Sequence, residues 1–252
     1  QYCHIDWRMF PQKFPYGAGV TAREHLYVET YNRAEYYFGL YESRPFYFAA
    51  PDAPFATGTP GTYASVYHNR VWDEWLVAVA NMSRAAKHTS LEIHSPAKLE
   101  LKAQREYVVL DTRSRTARRA KGGNLNQVFE SIEIPAESLQ LYCLRESPPD
   151  GPFHLWGGKK LSENWDRRQR RLTVTLQGPP GLEDTVFLAP GEEAIRTVRA
   201  GGKPQSFFLD PEQGLVHGRV TFARDPLVLE VSCAQAGANS LPPASVPPRA
   251  LP

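Results

Sequence analysis

The chain has 252 residues, 42% of them hydrophobic, and a formal net charge of +2. That length buries one large core or two ordinary ones, no apolar run reaches membrane-spanning length, and the charge is too small to demand nucleic acid or an acidic membrane as partner. The cysteines Cys3, Cys143 and Cys233 are distant, odd in number and without CxxC spacing, which argues against a disulfide framework or a structural zinc site; Cys143 and Cys233 fall in apolar strands and read as buried thiols.

The chain opens on Gln1 rather than Met and runs directly into Tyr2-Cys3-His4-Ile5, a strand-like segment, so its N-terminal side reads as cut from something larger. No leader is visible, and export stays open, with an extracytoplasmic or secreted location favoured. A Pro- and Gly-punctuated loop follows from Trp7 to Val20. Thr21 and Glu24 then form a capping box, each side chain reaching the other's backbone N–H. Tyr27, Tyr31, Ala34, Phe38 and Tyr41 recur at three- and four-residue spacing, which predicts an amphipathic helix that Gly39 loosens or ends. A stripe that wide and aromatic must pack on a large apolar partner, expected to be a sheet.

From Pro45 the period changes to two. Leu172, Val174 and Leu176 alternate with Thr173, Thr175 and Gln177, as Leu227, Leu229, Val231 and Cys233 do with Val228, Glu230 and Ser232. Residues 75–80, WLVAVA, are apolar on both faces, as a central strand covered on each side would be, and end at Asn81 in a turn. Further strands are expected at 89–94, 99–101, 107–111, 128–134 and 139–145. A Pro- and Gly-rich cluster at 147–152 divides the β region, and a second set of strands runs from Phe153 to Cys233. After Ala234 strand formers give way to Ala, Ser and Pro, the composition of a disordered tail.

The order EWLVAVANMS, LEIHSPAKLELKAQREYVVLDTRSR, IEIPAESLQLYCL resembles the β-sandwich that follows the catalytic barrel in many glycoside hydrolases. The later LTVTLQGPPGLEDTVFLAPGEEAIRTVRAGGK is similar to a second sandwich module at the C-termini of glycosidase-like proteins. The likeness covers residues 45 to 233 and is a pattern of strands and turns, not a catalytic signature. It implies a mainly β fold: a last β/α unit of a (β/α)8 barrel at 1–42, a β-sandwich at 43–147, a second at 148–234 and a tail at 235–252. The implied function is the non-catalytic C-terminal portion of a carbohydrate-active enzyme, with carbohydrate as partner, no cofactor, and the catalytic carboxylates upstream. The alternative is a stand-alone β-sandwich carbohydrate-binding or adhesion protein without catalysis.

In such a barrel the site lies at the C-terminal ends of the strands, so Asp6, Trp7 and Arg8 would face a sugar: the indole stacks on a pyranose and the charged groups bond hydroxyls. The blander reading has Trp7 plugging the barrel mouth and Asp6 pairing with Arg8. Glycoside hydrolysis normally takes two carboxylates, so Asp6 alone is given no catalytic role. Cys3, His4 and Asp6 make a poor metal site, because Cys3 and His4 point to opposite faces of a strand. Of the remaining tryptophans, Trp156 and Trp165 are the candidate carbohydrate platforms, since they flank a polar Gly-Gly-Lys-Lys turn. Two basic clusters, Arg113, Arg115, Arg118, Arg119 and Lys121, and Arg167, Arg168, Arg170 and Arg171, lack interleaved aromatics and read as solvated hairpin tips, so no nucleic acid is expected. Asn81-Met82-Ser83 matches a glycosylation sequon, a match that arises readily by accident.

Overall fold

The computed structural model describes residues 34–148 and 150–234. The expected first strand, its loop with Asp6, Trp7 and Arg8, the capping box, Tyr27, Tyr31 and the tail lie outside the described residues. The described chain is mainly β, with every strand pair antiparallel. It opens on a π-helical turn, Ala34–Gly39, and a 3-10 turn, Leu40–Glu42. Gly39 joins them at φ +72°, a left-handed conformation that disfavours side chains, which fits its expected role in ending the helix.

A six-stranded sheet has the spatial order β1 (Arg44–Tyr47), β3 (Thr62–Asn69), β4 (Glu74–Asn81), β10 (Ser138–Glu146), β7 (Glu106–Asp111), β8 (Thr116–Lys121). Two small ladders accompany it, β2 (Phe55–Thr57) with β6 (Leu91–Ile93) and β5 (Lys87–Thr89) with β9 (Ile132–Ile134). A four-stranded sheet runs β11 (Phe153–Trp156), β14 (Glu183–Ala189), β18 (Leu215–Thr221), β17 (Phe208–Asp210). A five-stranded sheet runs β12 (Lys159–Asp166), β13 (Arg171–Gln177), β19 (Leu227–Ala234), β15 (Ala194–Ala200), β16 (Lys203–Gln205).

Side-chain alternation stacks these sheets. Along β4, Trp75, Val77 and Val79 enter one core with Leu91, Ile93, Phe129 and Ile134 from the small ladders and their connections. Leu76, Ala78 and Ala80 enter another with Phe153, Trp156, Phe187 and Leu215 from the four-stranded sheet. The wholly apolar central strand is thus covered on both faces, as its composition predicts. The four-stranded sheet has the same property: Phe187 and Ala189 face the six-stranded sheet, while Val186 and Leu188 face Leu172, Val174, Leu176, Leu229 and Val231 of the five-stranded one.

Three strand expectations are corrected. Residues 99–101 are not extended: Pro96–Leu99 forms a 3-10 turn ending at Glu100 with φ +63°, and the Leu99 carbonyl accepts the Trp75 indole N–H at 2.7 Å. The segment 128–134 starts as the end of a short helix, α1 (Leu125–Val128), and becomes extended only at Ile132. Asn126 in that helix accepts the Ile93 N–H at 2.7 Å and so serves β6 as a substitute backbone. The segment 89–94 divides at Ser90, Thr89 pairing with β9 and Leu91–Ile93 with β2.

Candidate functional site at the junction of the β regions

The candidate site lies where the six-stranded sheet meets the sheets that follow it, and a β-bulge builds half of it. Lys160 and Glu163 are three residues apart, a spacing that puts side chains on opposite faces of a regular strand. In the β12–β13 ladder Lys160 opposes Leu176 but Ser162 opposes Thr175, so Leu161 is an extra residue. The bulge resets the alternation: Lys160, Glu163 and Trp165 all oppose inward-facing residues of β13, and Leu161 is left 41% exposed. From the six-stranded sheet, Glu74 on β4 and Arg145 on β10 are directly opposed cross-strand partners on the same face as Leu76 and Cys143.

These four side chains form a closed ring of charge. The Lys160 ammonium donates to Glu74 and lies 3.1 Å from Glu163; Arg145 donates to Glu163 at 2.7 Å and lies 3.5 Å from Glu74. Arg145 also donates to the His154 carbonyl at 2.7 Å. The Trp72 ring covers the ammonium at 4.7 Å and the Phe153 ring the guanidinium at 4.9 Å. The side chain of Lys160 is only 3% exposed. Two carboxylates and two cations cancel, which is the condition for burying charge at all. Burial would raise the Glu163 carboxyl, but the attraction of Lys160 and Arg145 outweighs it and holds the group at about 2. Burial, and then the Lys160 charge, push the His154 imidazole down to about 3; its Nε2 lies 3.1 Å from the Gly157 carbonyl. A general acid needs a carboxyl raised toward neutrality, the opposite of Glu163. This ring is suited to holding two sheets in register.

The same junction receives the N-terminal segment. Ala34, Tyr37, Phe38 and Leu40 are buried in the core shared by Tyr67, Leu76, Trp156 and Phe187. Tyr37 donates to Asp184 Oδ2 at 2.8 Å and meets Trp156 edge-on, centroids 5.9 Å apart. Asn69 donates to the Phe38 carbonyl at 2.8 Å. Residues from β3, β11 and β14 therefore grip one helical turn. Cys143 adds a bond across the junction, its thiol donating to the Leu155 carbonyl at 3.3 Å.

A second polar cluster lies at the turn end of β3 and β4. His68 stacks on Trp75, its cross-strand partner, with centroids 4.2 Å apart and planes 5° apart. Its ring nitrogens face Asp73 at 3.0 Å and Glu100 at 3.1 Å, and Arg44 and Arg70 also engage Glu100. The Arg70 hydrogen bond, ahead of opposing desolvation and a further bond from Arg44, keeps Glu100 below the usual carboxylate range. Among the described residues no group of three or more His, Cys, Asp or Glu side chains is arranged to hold a metal ion.

Of the tryptophans expected to bind sugar, Trp156 is 8% exposed and enclosed by Tyr37, so it presents no open ring face. Trp165 is half-buried, with Gly151 so close over its indole that a Cβ there would fall 2.6 Å from the ring. The Gly-Gly-Lys-Lys stretch between them is not a solvated turn. Gly157 (φ +99°) lies against the Thr185 carbonyl, and Lys160 is buried. Of the basic clusters, Arg167, Arg168 and Arg170 do occupy a hairpin tip, between β12 and β13. Arg118, Arg119 and Lys121 instead run along β8, an edge strand, where charge discourages further strand pairing. Asn81 is fully buried: its Nδ2 donates to the carbonyls of Ala85, Ile134 and Pro135, and its Oδ1 accepts from Ser83 N and Oγ. The sequon is therefore a turn lock closed to an oligosaccharyl group.

No protein-family model and no curated protein matches the chain. Among solved structures, BuGH86 in complex with neoagarooctaose is similar over 70% of this chain and 32% of its own length, at 10% identity and a TM-score of 0.22. A glutamate-to-glutamine variant of BuGH86 with the same oligosaccharide matches at 10% identity over the same shares, with a TM-score of 0.21. The chain spans about a third of the length of these structures. A TM-score that low carries no structural argument.

Proposed function

We propose that this chain is the non-catalytic C-terminal portion of a carbohydrate-active enzyme, a glycoside hydrolase. In this reading 43–147 and 148–234 are two β modules that fix the orientation of the unit at 1–42, and Asp6, Trp7 and Arg8 line its sugar cleft. The observation that supports it is the burial of Ala34, Tyr37, Phe38 and Leu40 where three sheets' worth of side chains converge. A turn gripped by partners from β3, β11 and β14 transmits a fixed direction to whatever precedes it, which an accessory region behind a catalytic barrel must do. The charge ring serves the same end by locking the two β regions to each other.

The second reading, a stand-alone β-sandwich protein that binds carbohydrate or mediates adhesion, draws on the same burial, since Tyr37 and Phe38 are enclosed by β structure alone. The test is hydrolysis. The purified chain should release no product from aryl glycosides or oligosaccharides, and turnover abolished by substituting one of its own carboxylates would overturn the proposal. The coding sequence upstream of Gln1 separates the readings: alternating β/α units with acidic strand ends support the first, a signal sequence or stop codon the second.

A further inference from the structure

One row of aromatic side chains crosses the four-stranded sheet from its centre of burial to its free edge. Trp156 on β11 opposes Phe187 on β14, Phe187 opposes His217 on β18, and His217 opposes Phe208 on β17. The rings of Phe187 and His217 are 5.9 Å apart and those of His217 and Phe208 6.4 Å apart. Burial falls along the row: Trp156 and Phe187 are in the core, His217 is half-buried, and Phe208 on the edge strand is 37% exposed. The open end is not apolar. Burial lowers the His217 imidazole, and Asp210 and Arg115 act on it with opposite sign, so one acid and one base flank the ring.

Both flanking groups are held in place. The Asp210 carboxylate accepts the N–H groups of Glu212 and Gln213 at 3.1 Å each, shaping the turn that follows β17. Gln213 in that turn accepts the Ala117 N–H at 2.9 Å, tying the β17–β18 hairpin to the edge strand β8 that Arg115 leads into. Arg115 itself sits at φ +61° and donates its N–H to the Asp111 carbonyl at 2.9 Å.

We infer that the exposed end of this row, Phe208 with His217, Asp210 and Arg115, is a binding site for a neutral sugar ring. The inference rests on the carbohydrate reading above and moves its binding surface away from Trp156 and Trp165. Phe208 supplies a face for the C–H side of a pyranose. A carboxylate and a guanidinium on either flank favour neither an anion nor a cation, but suit hydroxyls, which accept and donate together.

Native gels of the full chain cast with a soluble neutral galactan, mannan, xylan or β-glucan test the site. The chain should be retarded in at least one, Phe208→Ala should weaken that retention about tenfold without lowering Tm, and Phe208→Trp should retain it. Retention undiminished in Phe208→Ala would overturn the site while leaving a carbohydrate-binding chain. Absence of retention in every neutral gel, or retention only with heparin or alginate, would also overturn it. Neither result touches the accessory role, which is decided by the hydrolysis assay and the upstream sequence.

Discussion

Lys160→Met isolates the charge ring. Methionine keeps most of the aliphatic volume under Trp72 but removes the ammonium, leaving Glu74 and Glu163 with Arg145 as their one close cation. Removing one partner of a buried ion pair costs about 3–5 kcal/mol, because the surviving charge stays buried without compensation. At roughly 2–4 °C per kcal/mol for a domain of this size, Tm should fall by roughly 6–20 °C. A second variant separates the ring from simple packing: Lys160→Met with Glu74→Gln restores neutrality, Glu163 then balancing Arg145. It should recover at least half of the loss, a coupling readable in a double-mutant cycle by scanning calorimetry and urea denaturation. A single variant costing under about 1 kcal/mol, or a double variant whose losses simply add, would refute the view that the ring's charges depend on one another.

Acid should act on the same ring in two stages. His154 is depressed in the fold, so from about 6.5 down to about 3 the unfolded chain binds a proton that the folded chain does not, and stability falls as pH falls. Glu163 is also depressed, so its contribution, complete above about 4.5, is lost as pH drops toward 2. His154→Leu should flatten the upper stage in urea titrations at stepped pH; an unchanged slope between pH 6.5 and 4.5 would count against the assignment. Asn81→Ala should cost about 1–3 kcal/mol by stranding buried carbonyls, and the wild-type chain secreted from a glycosylating host should show no glycan at Asn81 by mass spectrometry. Gly157→Ala should destabilise by more than about 1 kcal/mol in urea, since its φ is positive and its Cβ would fall 2.3 Å from the Thr185 carbonyl oxygen. Burial pushes the Cys143 thiol up and the Cys233 thiol up to about 12, so peptide mapping after native iodoacetamide treatment at pH 8 should find both unmodified until the protein unfolds.

Strands whose two faces meet different surroundings were legible in the sequence. Leu172, Val174 and Leu176 are buried and their neighbours are not, because one side of β13 faces a core and the other water. The wholly apolar β4 was legible for the complementary reason. What alternation does not encode is a change of phase. The extra residue Leu161 is visible only against the register of β13, so a lysine that looked like part of a polar turn proves to be buried with Glu163 beside it. Leu155 plays the same part in β11, where the shift sends Phe153 and Trp156 to one face and His154 to the other. Trp156 therefore looked like a surface platform although its strand had already turned it inward. The aromatic row escaped notice because its four members are spread over some fifty residues of sequence and become neighbours only through pairing.

The four-stranded sheet, greasy on both sides, limits how this chain can be cut and recombined. Severing it at the Pro-rich hinge before Phe153 would leave Phe153, Phe187, Ala189 and Leu215 facing water in the C-terminal piece, and Leu76, Ala78 and Leu141 in the other. Neither piece is a portable cassette. Gene rearrangements that carry one β region without its neighbour would yield products prone to self-association, so the two should travel through evolution as a single inherited block.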